Sequence, residues 1–378
     1  MALKDRLKTL RGQAGHHRPE PQSSRPPSSP ALADRLQRLR PRPPGRADRS
    51  QRHSLEEVAA AVGGEVAAEG LIFIERAVPL SHRHGGFSLA RLEADHGALP
   101  EAEGLDPREM VFFDTETTGL AGGAGTAAFM VGMGRVRGEA LVVRQYLITS
   151  FAGGRAMLAE SGAWLGEAQA LVSFNGKSFD MPLLLTRCRL AGIEAPFACA
   201  PHLDLLHPTR RAFASRWEDC RLATAERALL GFMREDDLPG SEAPAAWFDY
   251  LHRGDGGRLP GVARHNHWDI VSLAALLPAL AEAHHAPYRY EADILAVARA
   301  HLRRGDEPRA LSLLDGNRED LSAEGRLELA RLYRRCRRWA EACALWEVLA
   351  AEGQVEAVES LAKYHEHTRH DYAVALAY

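Results

Sequence analysis

The chain has 378 residues, 46% of them hydrophobic and 26% charged, which exceeds what one hydrophobic core usually organises and fits two folded units. Its net charge of −3 is uneven: residues 1–52 carry 13 Lys/Arg against 4 Asp/Glu, so a basic arm of +9 precedes a body near −12, a distribution suited to meeting a polyanion. No apolar run reaches ~18 residues, the first residues carry charges where a signal peptide needs an apolar core, and Cys188, Cys199, Cys220, Cys336 and Cys343 show no paired spacing; a membrane span and a secreted disulfide scaffold are excluded, and a cytoplasmic protein with reduced thiols is expected.

From Gly12 to Arg52 the chain holds eight prolines, many arginines and serines, and few large apolar residues. Such a segment cannot bury enough surface to offset its ordering entropy and is read as disordered over residues 1–52, with a transient helix at most at 31–40. Ser54-Leu-Glu-Glu57 then opens a capped helix. Short strands follow at Leu71-Ile-Phe-Ile-Glu and at Met110-Val-Phe-Phe-Asp-Thr-Glu-Thr-Thr-Gly. Strands over 127–136 and 140–147 come next, with turn signals at Gly134 and Gly138. A helix over 161–167, a strand over 170–175, and helices over 181–191, 224–230 and 264–284 complete this unit. Antiparallel strands followed by alternating strand and helix predict an α/β unit over 53–286, a mixed β-sheet flanked by helices.

Beyond residue 287 helical periodicity takes over and a repeat emerges. Ala310, Ala342 and Ala373, like Leu313, Leu345 and Leu376, recur at intervals of 32 and 31, and Ala298 with Ala330 repeats the 32. Small residues at this interval fit paired helices of a tetratricopeptide-like all-α region over 287–378, a surface for a protein partner. Tyr378 falls inside the second helix of a third unit, which further chain or a partner is expected to complete.

The chemistry resides in carboxylates. Hydrolysis of a phosphodiester needs a hydroxide and a sink for charge on the leaving oxygen. Two divalent ions about 4 Å apart supply both, and hard carboxylate oxygens hold them. Asp114 and Glu116 lie two apart on an apolar strand, so their side chains share a face. A buried acidic pair there calls for a cation or a proton, the other reading being solvated acids at a strand end. Asp180, in Phe174-Asn-Gly-Lys-Ser-Phe-Asp180-Met-Pro, taken alone is as well explained as a helix N-cap. Lys177 and Asn175 beside it can touch phosphate or face solvent, and so can Thr117 and Thr118 in the turn after Glu116. His265 and Asp269 stand one helical turn apart, the pattern of a metal-bound carboxylate beside a proton acceptor, although such a pair is more often a surface interaction.

Three weaker features accompany these. Gly119–Gly125 reads as a hairpin entry or a loop that a nucleic-acid backbone approaches. His82-Arg-His84 lacks nearby ligands for a structural zinc. Asp204 reads as an outer carboxylate or a strand end, and Arg210, Arg211, Arg216 and Arg221 around Trp217 as a backbone grip or a solvated face.

Taken together, the three acidic segments resemble the DEDD 3′–5′ exonucleases of the ribonuclease-H-like superfamily. Asp114-Thr-Glu-Thr-Thr-Gly matches the first motif, Asn175-xxx-Phe-Asp180 the second, and His265-xxx-Asp269 falls at the third. The likeness is to the YprB-type branch, through Asp114-Thr-Glu-Thr-Thr-Gly-Leu, Gly125-Thr-Ala-Ala-Phe, Asp236-Asp-Leu-Pro-Gly-Ser and His265-Asn-xx-Asp-Ile, over about residues 54–285. The resemblance implies a ribonuclease-H-like fold and a Mg²⁺- or Mn²⁺-dependent nuclease acting on the 3′ end of DNA or RNA. It further implies Asp114, Glu116, Asp180 and Asp269 as metal ligands and His265 as general base. His265 stands four residues before Asp269, the spacing of the tyrosine subclass, which leaves His267 as the other candidate. The competing expectation is a non-catalytic nucleic-acid-binding or scaffold protein that keeps the fold and recruits partners through its helical repeats.

Overall fold

A computed structural model describes residues 52–119 and 125–378. The Pro/Arg-rich arm up to residue 51, with the helix expected at 31–40, and residues 120–124 of the glycine-rich loop lie outside the described residues. No helix among those described is long and apolar enough to cross a membrane.

Helix α1 (Leu55–Val62) begins as its sequence dictates. The Ser54 hydroxyl accepts from Glu57 N and the Glu57 carboxylate accepts from Ser54 N, closing a capping box, and Gly63 ends the helix at φ 71°. Strands β1 (Glu65–Ala68), β2 (Leu71–Pro79), β3 (Met110–Thr117), β4 (Ala128–Arg137), β5 (Ala140–Ile148), β6 (Ala170–Ser173) and β7 (His202–Asp204) form one sheet. Its order is β1-β2-β5-β4-β3-β6-β7. The first four pairings are antiparallel, while β3–β6 and β6–β7 are parallel. Helices α2 (Gly154–Gly166) and α3 (Asp180–Ala191) flank β6 in the chain, α4 (Leu206–Phe213) follows β7, and α5 (Ala243–Arg253) leads to the long α6 (Leu259–His285). The mixed sheet flanked by helices is the architecture the strand pattern predicted.

Central strand β3 is buried on both sides. Met110 and Phe112 share a core with Val143, Ile270, Leu273 and Leu277, whereas Val111 and Phe113 share one with Leu158, Leu165 and Leu184. The predicted turn at Gly138 is observed, at φ 57°. Gly134, expected as a turn signal, instead lies inside β4. A Cβ at Gly134 would come 2.5 Å from Ile270 Cγ2, and one at Gly132 would come 2.0 Å from Asn266 Oδ1. The two glycines therefore let α6 seat directly on the sheet. Strand β1 escaped sequence reading because four residues are too few to show alternation, while β7 ends at Asp204, where a strand end was one of two readings.

The helical region consists of α7 (Ile294–Arg303), α8 (Glu307–Gly316), α9 (Ala323–Arg335), α10 (Trp339–Ala351), α11 (Val355–Tyr364) and α12 (Tyr372–Ala377). Ala298, Ala310, Ala330 and Ala342, at the repeat positions, are fully buried between helices. Ala373 and Leu376, their third-unit counterparts, are exposed.

Gly132→Ala is expected to destabilise the fold by about 1–3 kcal/mol, because a methyl must displace the Asn266 amide from a packed contact. Denaturant unfolding measures it, and an unchanged midpoint would contradict the seating of α6.

Candidate metal centre

The site is assembled where β3 runs out from beneath α6. Asp114 pairs with Gly132 across β3–β4, and Gly132 pairs with Gln145 across β4–β5. Asn266 fills the space left by Gly132. Its Oδ1 accepts from Gln145 Nε2 at 2.9 Å and its Nδ2 donates to Asp114 Oδ2 at 3.1 Å. Gln145 Nε2 also reaches Ala263 O at 2.8 Å. A row of side chains thus fixes Asp114 against the helix that carries His265 and Asp269.

Asp180 arrives from the other side of β3. It is the first residue of α3, whose N-cap is Phe179 without a side-chain capping bond, so capping does not account for it. Its Oδ1 accepts from the Thr115 hydroxyl. The loop before it is anchored by Asp204, whose carboxylate accepts from Asn175 N at 2.7 Å, Lys177 N at 3.1 Å and Leu206 N at 3.1 Å. Asn175 turns through φ 67°, and a Cβ on Gly176 would lie 3.1 Å from Asp180 Oδ2. The Lys177 side chain points into solvent and Asn175 is half-buried. Thr117 and Thr118 serve the turn after β3: Thr117 Oγ1 donates to Gly119 O at 3.1 Å, and Thr118 Oγ1 accepts from Ala127 N at 3.0 Å.

On α6, His265, Asp269 and Ser272 share a face, in keeping with their i, i+4, i+7 spacing. Ligand atoms of Glu116, His265 and Asp269 lie within 4.8 Å of one another. His265 Nε2 is 3.4 Å from Asp269 Oδ2. His267 faces elsewhere, toward Arg76 and His82, and burial lowers its pKa to about 4.

The electrostatics of the cluster favour positive charge. Glu116 is 7% exposed, Asp269 7% and Asp180 9%, and Asp114 is half-buried. Burial, then repulsion from Asp269 and Asp180, raises the Glu116 carboxyl to about 8. Burial first and then Asp269, Asp180 and Glu116 push Asp114 well above its ordinary value, against the Asn266 hydrogen bond. Burial raises Asp180 to about 6, with the Thr115 hydroxyl opposing it. Four acids from three chain segments therefore repel one another in a poorly solvated space, and their hard oxygens fit divalent ions.

One internal cation was not legible beforehand. Arg234 Nη2 donates to Asp269 Oδ1 at 2.5 Å and to Glu226 Oε1 at 2.6 Å, while its Nε donates to Glu226 Oε2 at 2.9 Å. Burial works against this charge, but Asp269 and Glu226 hold the guanidinium protonated. Glu226 sits on a single π-helical turn (Glu226–Leu230) and also accepts from the Ser272 hydroxyl. His84 Nε2 lies 2.8 Å from Ser272 Oγ, and its ring packs on Phe232 with centroids 3.8 Å apart. The His82/His84 motif thus supplies the outer wall of this network. Trp217 stacks on Phe213 at 4.0 Å and Arg211 pairs with Glu101, whereas Arg210, Arg216 and Arg221 are exposed.

Comparison with known proteins gives two findings. A family model described as RNase_H superfamily matches residues 111–281. A protein of Bacillus subtilis (strain 168) described as uncharacterized protein YprB is 34% identical over 320 residues, covering 79% of this chain and 76% of its own length.

The raised carboxyls give the metal-free protein a defined pH response. A folded-state pKa of about 8 for Glu116 and about 6 for Asp180 exceeds the unfolded values of roughly 4. The protonated acids therefore contribute stability below pH ~4 that is lost as pH rises through 6 and 8. A bound divalent cation removes that loss. The melting-temperature gain from Mg²⁺ or Mn²⁺ is expected to grow between pH 5 and 8 and to vanish with EDTA; a gain independent of pH would contradict it.

Proposed function

Because the chain belongs to the YprB family of the ribonuclease H superfamily, we propose that it is a divalent-metal-dependent nuclease that shortens DNA or RNA from the 3′ end. The observation that carries this reading is the convergence of Asp114, Glu116, Asp180 and Asp269 from three separate segments into one mutually repelling cluster. A protein without turnover gains nothing from that electrostatic cost.

Asp114, Glu116, Asp180 and Asp269 are the residues that would hold the ions. Bound divalent ions supply counter-charge for the phosphodiester and acidify water. The chain's own contribution is positional. Asn266 and Thr115 orient Asp114 and Asp180, and Arg234 leaves Asp269 Oδ2 free by occupying its Oδ1. His265 presents an imidazole to the same position. The backbone 114–119 and the loop 175–180 border the carboxylates, where the half-buried Asn175 and the exposed Lys177 are placed to meet a phosphate backbone. The 3′–5′ polarity rests on the motif resemblance of the DEDD exonucleases. The basic arm of residues 1–52 adds long-range attraction for a polyanion.

Incubation of 5′-labelled linear and circular single strands of DNA and RNA with Mg²⁺ or Mn²⁺ tests the reading. A ladder of progressive 3′ shortening from the linear strand and no cutting of the circle are expected. Asp114→Ala is expected to lower the rate at least about 100-fold. Equal rates for wild type and Asp114→Ala would sink the nuclease reading, and cutting of the circle would replace exonuclease by endonuclease.

A further inference from the structure

The two nitrogens of His265 are not equivalent, and the difference determines what the ring does. Nδ1 lies 2.8 Å from Asp237 Oδ2 and 2.9 Å from Asp237 Oδ1. Arg234 Nη1 lies 3.2 Å from the same Nδ1 and 3.3 Å from Asp237 Oδ2. Of these three groups only the carboxylate accepts hydrogen bonds without donating. Nδ1 therefore carries the proton and donates to Asp237, while Arg234 donates to the same carboxylate. The lone pair is left on Nε2.

That lone pair points at other lone pairs. Asp269 Oδ2 is 3.4 Å away, and a Glu116 oxygen completes a triangle within 4.8 Å. Three acceptors turned toward one another repel unless a cation or a proton lies between them, and a divalent cation can meet all three at once. Ligands at roughly 2.1 Å from one ion stand about 3–4 Å apart, and the 3.4 Å between Nε2 and Asp269 Oδ2 falls in that range, so the triangle suits a single coordination sphere. Access to Nε2 is kept open by Gly240, where an added Cβ would lie 3.1 Å from it. Asp237 and Gly240 belong to one short segment, Asp236-Asp-Leu-Pro-Gly-Ser, which bends at Asp236 with φ 51°.

We propose that Glu116, Asp269 and His265 Nε2 form one mixed oxygen–nitrogen site for a divalent transition ion of the Mn²⁺ class, with Asp237 as the carboxylate that orients the imidazole. This deepens the nuclease reading, on which it rests for the role of the carboxylates. It assigns His265 to the ion directly in place of the general-base role expected from the sequence. Metal-bound histidines characteristically donate their second N–H to a carboxylate, which fixes the ring and raises its basicity. Mg²⁺ is held by carboxylates and waters, whereas imidazole suits first-row transition ions, of which Mn²⁺ is the one that keeps a Mg²⁺-like preference for carboxylates. The donor set therefore selects Mn²⁺ over Mg²⁺ at this position. Asp269 divides its oxygens accordingly, Oδ1 to Arg234 and Oδ2 to the ion's side.

Mn²⁺ titration of the full chain, followed by electron paramagnetic resonance with electron spin-echo envelope modulation, tests the assignment without reference to turnover. Bound Mn²⁺ is expected to show ¹⁴N modulation from an imidazole, absent in His265→Gln. Asp237→Asn is expected to weaken Mn²⁺ binding by about 10–100-fold. Gly240→Ala, which leaves both partners in place but crowds Nε2, is expected to weaken it too and covers the case of an Asp237 variant that does not fold. Mg²⁺ should displace the Mn²⁺ only at an excess of at least about tenfold. Bound Mn²⁺ without ¹⁴N modulation, modulation that persists in His265→Gln, or no binding at all would overturn the site. Nuclease assays on the same samples separate the two readings: ¹⁴N modulation without phosphodiester cleavage supports the site and sinks only the nuclease reading.

Discussion

Like charge gathered inside the protein is the constraint to which the rest of the structure answers. Asp114, Glu116, Asp180 and Asp269 lie where solvation is poor, and their neighbours' charges raise the Asp114 and Glu116 carboxyls further. Arg234 meets part of that need from within. Its guanidinium is itself buried, so it depends on Glu226, which depends in turn on Ser272 and through it on His84. Removing one member of such a network leaves a buried charge uncompensated, which typically costs about 3–5 kcal/mol. The π-helical turn at Glu226 and the small strand pair at Arg83–His84 and Phe87–Ser88 make sense as supports for this counter-charge.

The second requirement is rigidity, and the fold supplies it through α6. This helix carries His265, Asn266 and Asp269 in its first half and an almost wholly buried stretch from Ile270 to Ala283 in its second. The same core continues into the helical region, through Val297, Ala310 and Leu314 to Leu361. The junction is also tied by the backbone, Asp293 N donating to Ala212 O at 2.7 Å. Side chains mounted on a helix packed along its length, against a sheet opened by Gly132 and Gly134, are held in place by the fold itself.

Much of this was legible in the sequence, for identifiable reasons. The apolar run Met110–Phe113 revealed a buried strand, so Asp114 and Glu116 announced a costly pair on one face. His265 and Asp269 carry the helical spacing. Asp180 was ambiguous as a lone residue before Met-Pro, because a cap and a site carboxylate look alike in sequence, whereas the structure shows its carboxylate held by Thr115 from β3. Arg234, Glu226 and Gln145 left no signal of their role, because the α6 residues they serve lie far along the chain: Asp269 is 35 positions from Arg234, Ser272 46 from Glu226 and Asn266 121 from Gln145. Asp237 and Gly240 lay in a segment noted for its resemblance alone, and their purpose emerges only once the His265 nitrogens are distinguished. The helix pairs were predictable from buried alanines at intervals of 32, since close helix crossing tolerates little else.

The central claim is that this acidic cluster is a divalent-cation site, and anomalous X-ray scattering from a Mn²⁺-soaked crystal tests it most directly. A manganese peak about 2.0–2.3 Å from oxygens of Glu116 and Asp269 is expected, with Arg234 still on Asp269 Oδ1. A manganese-free cluster under saturating Mn²⁺, its carboxylates satisfied by Arg234 and protons alone, would contradict it.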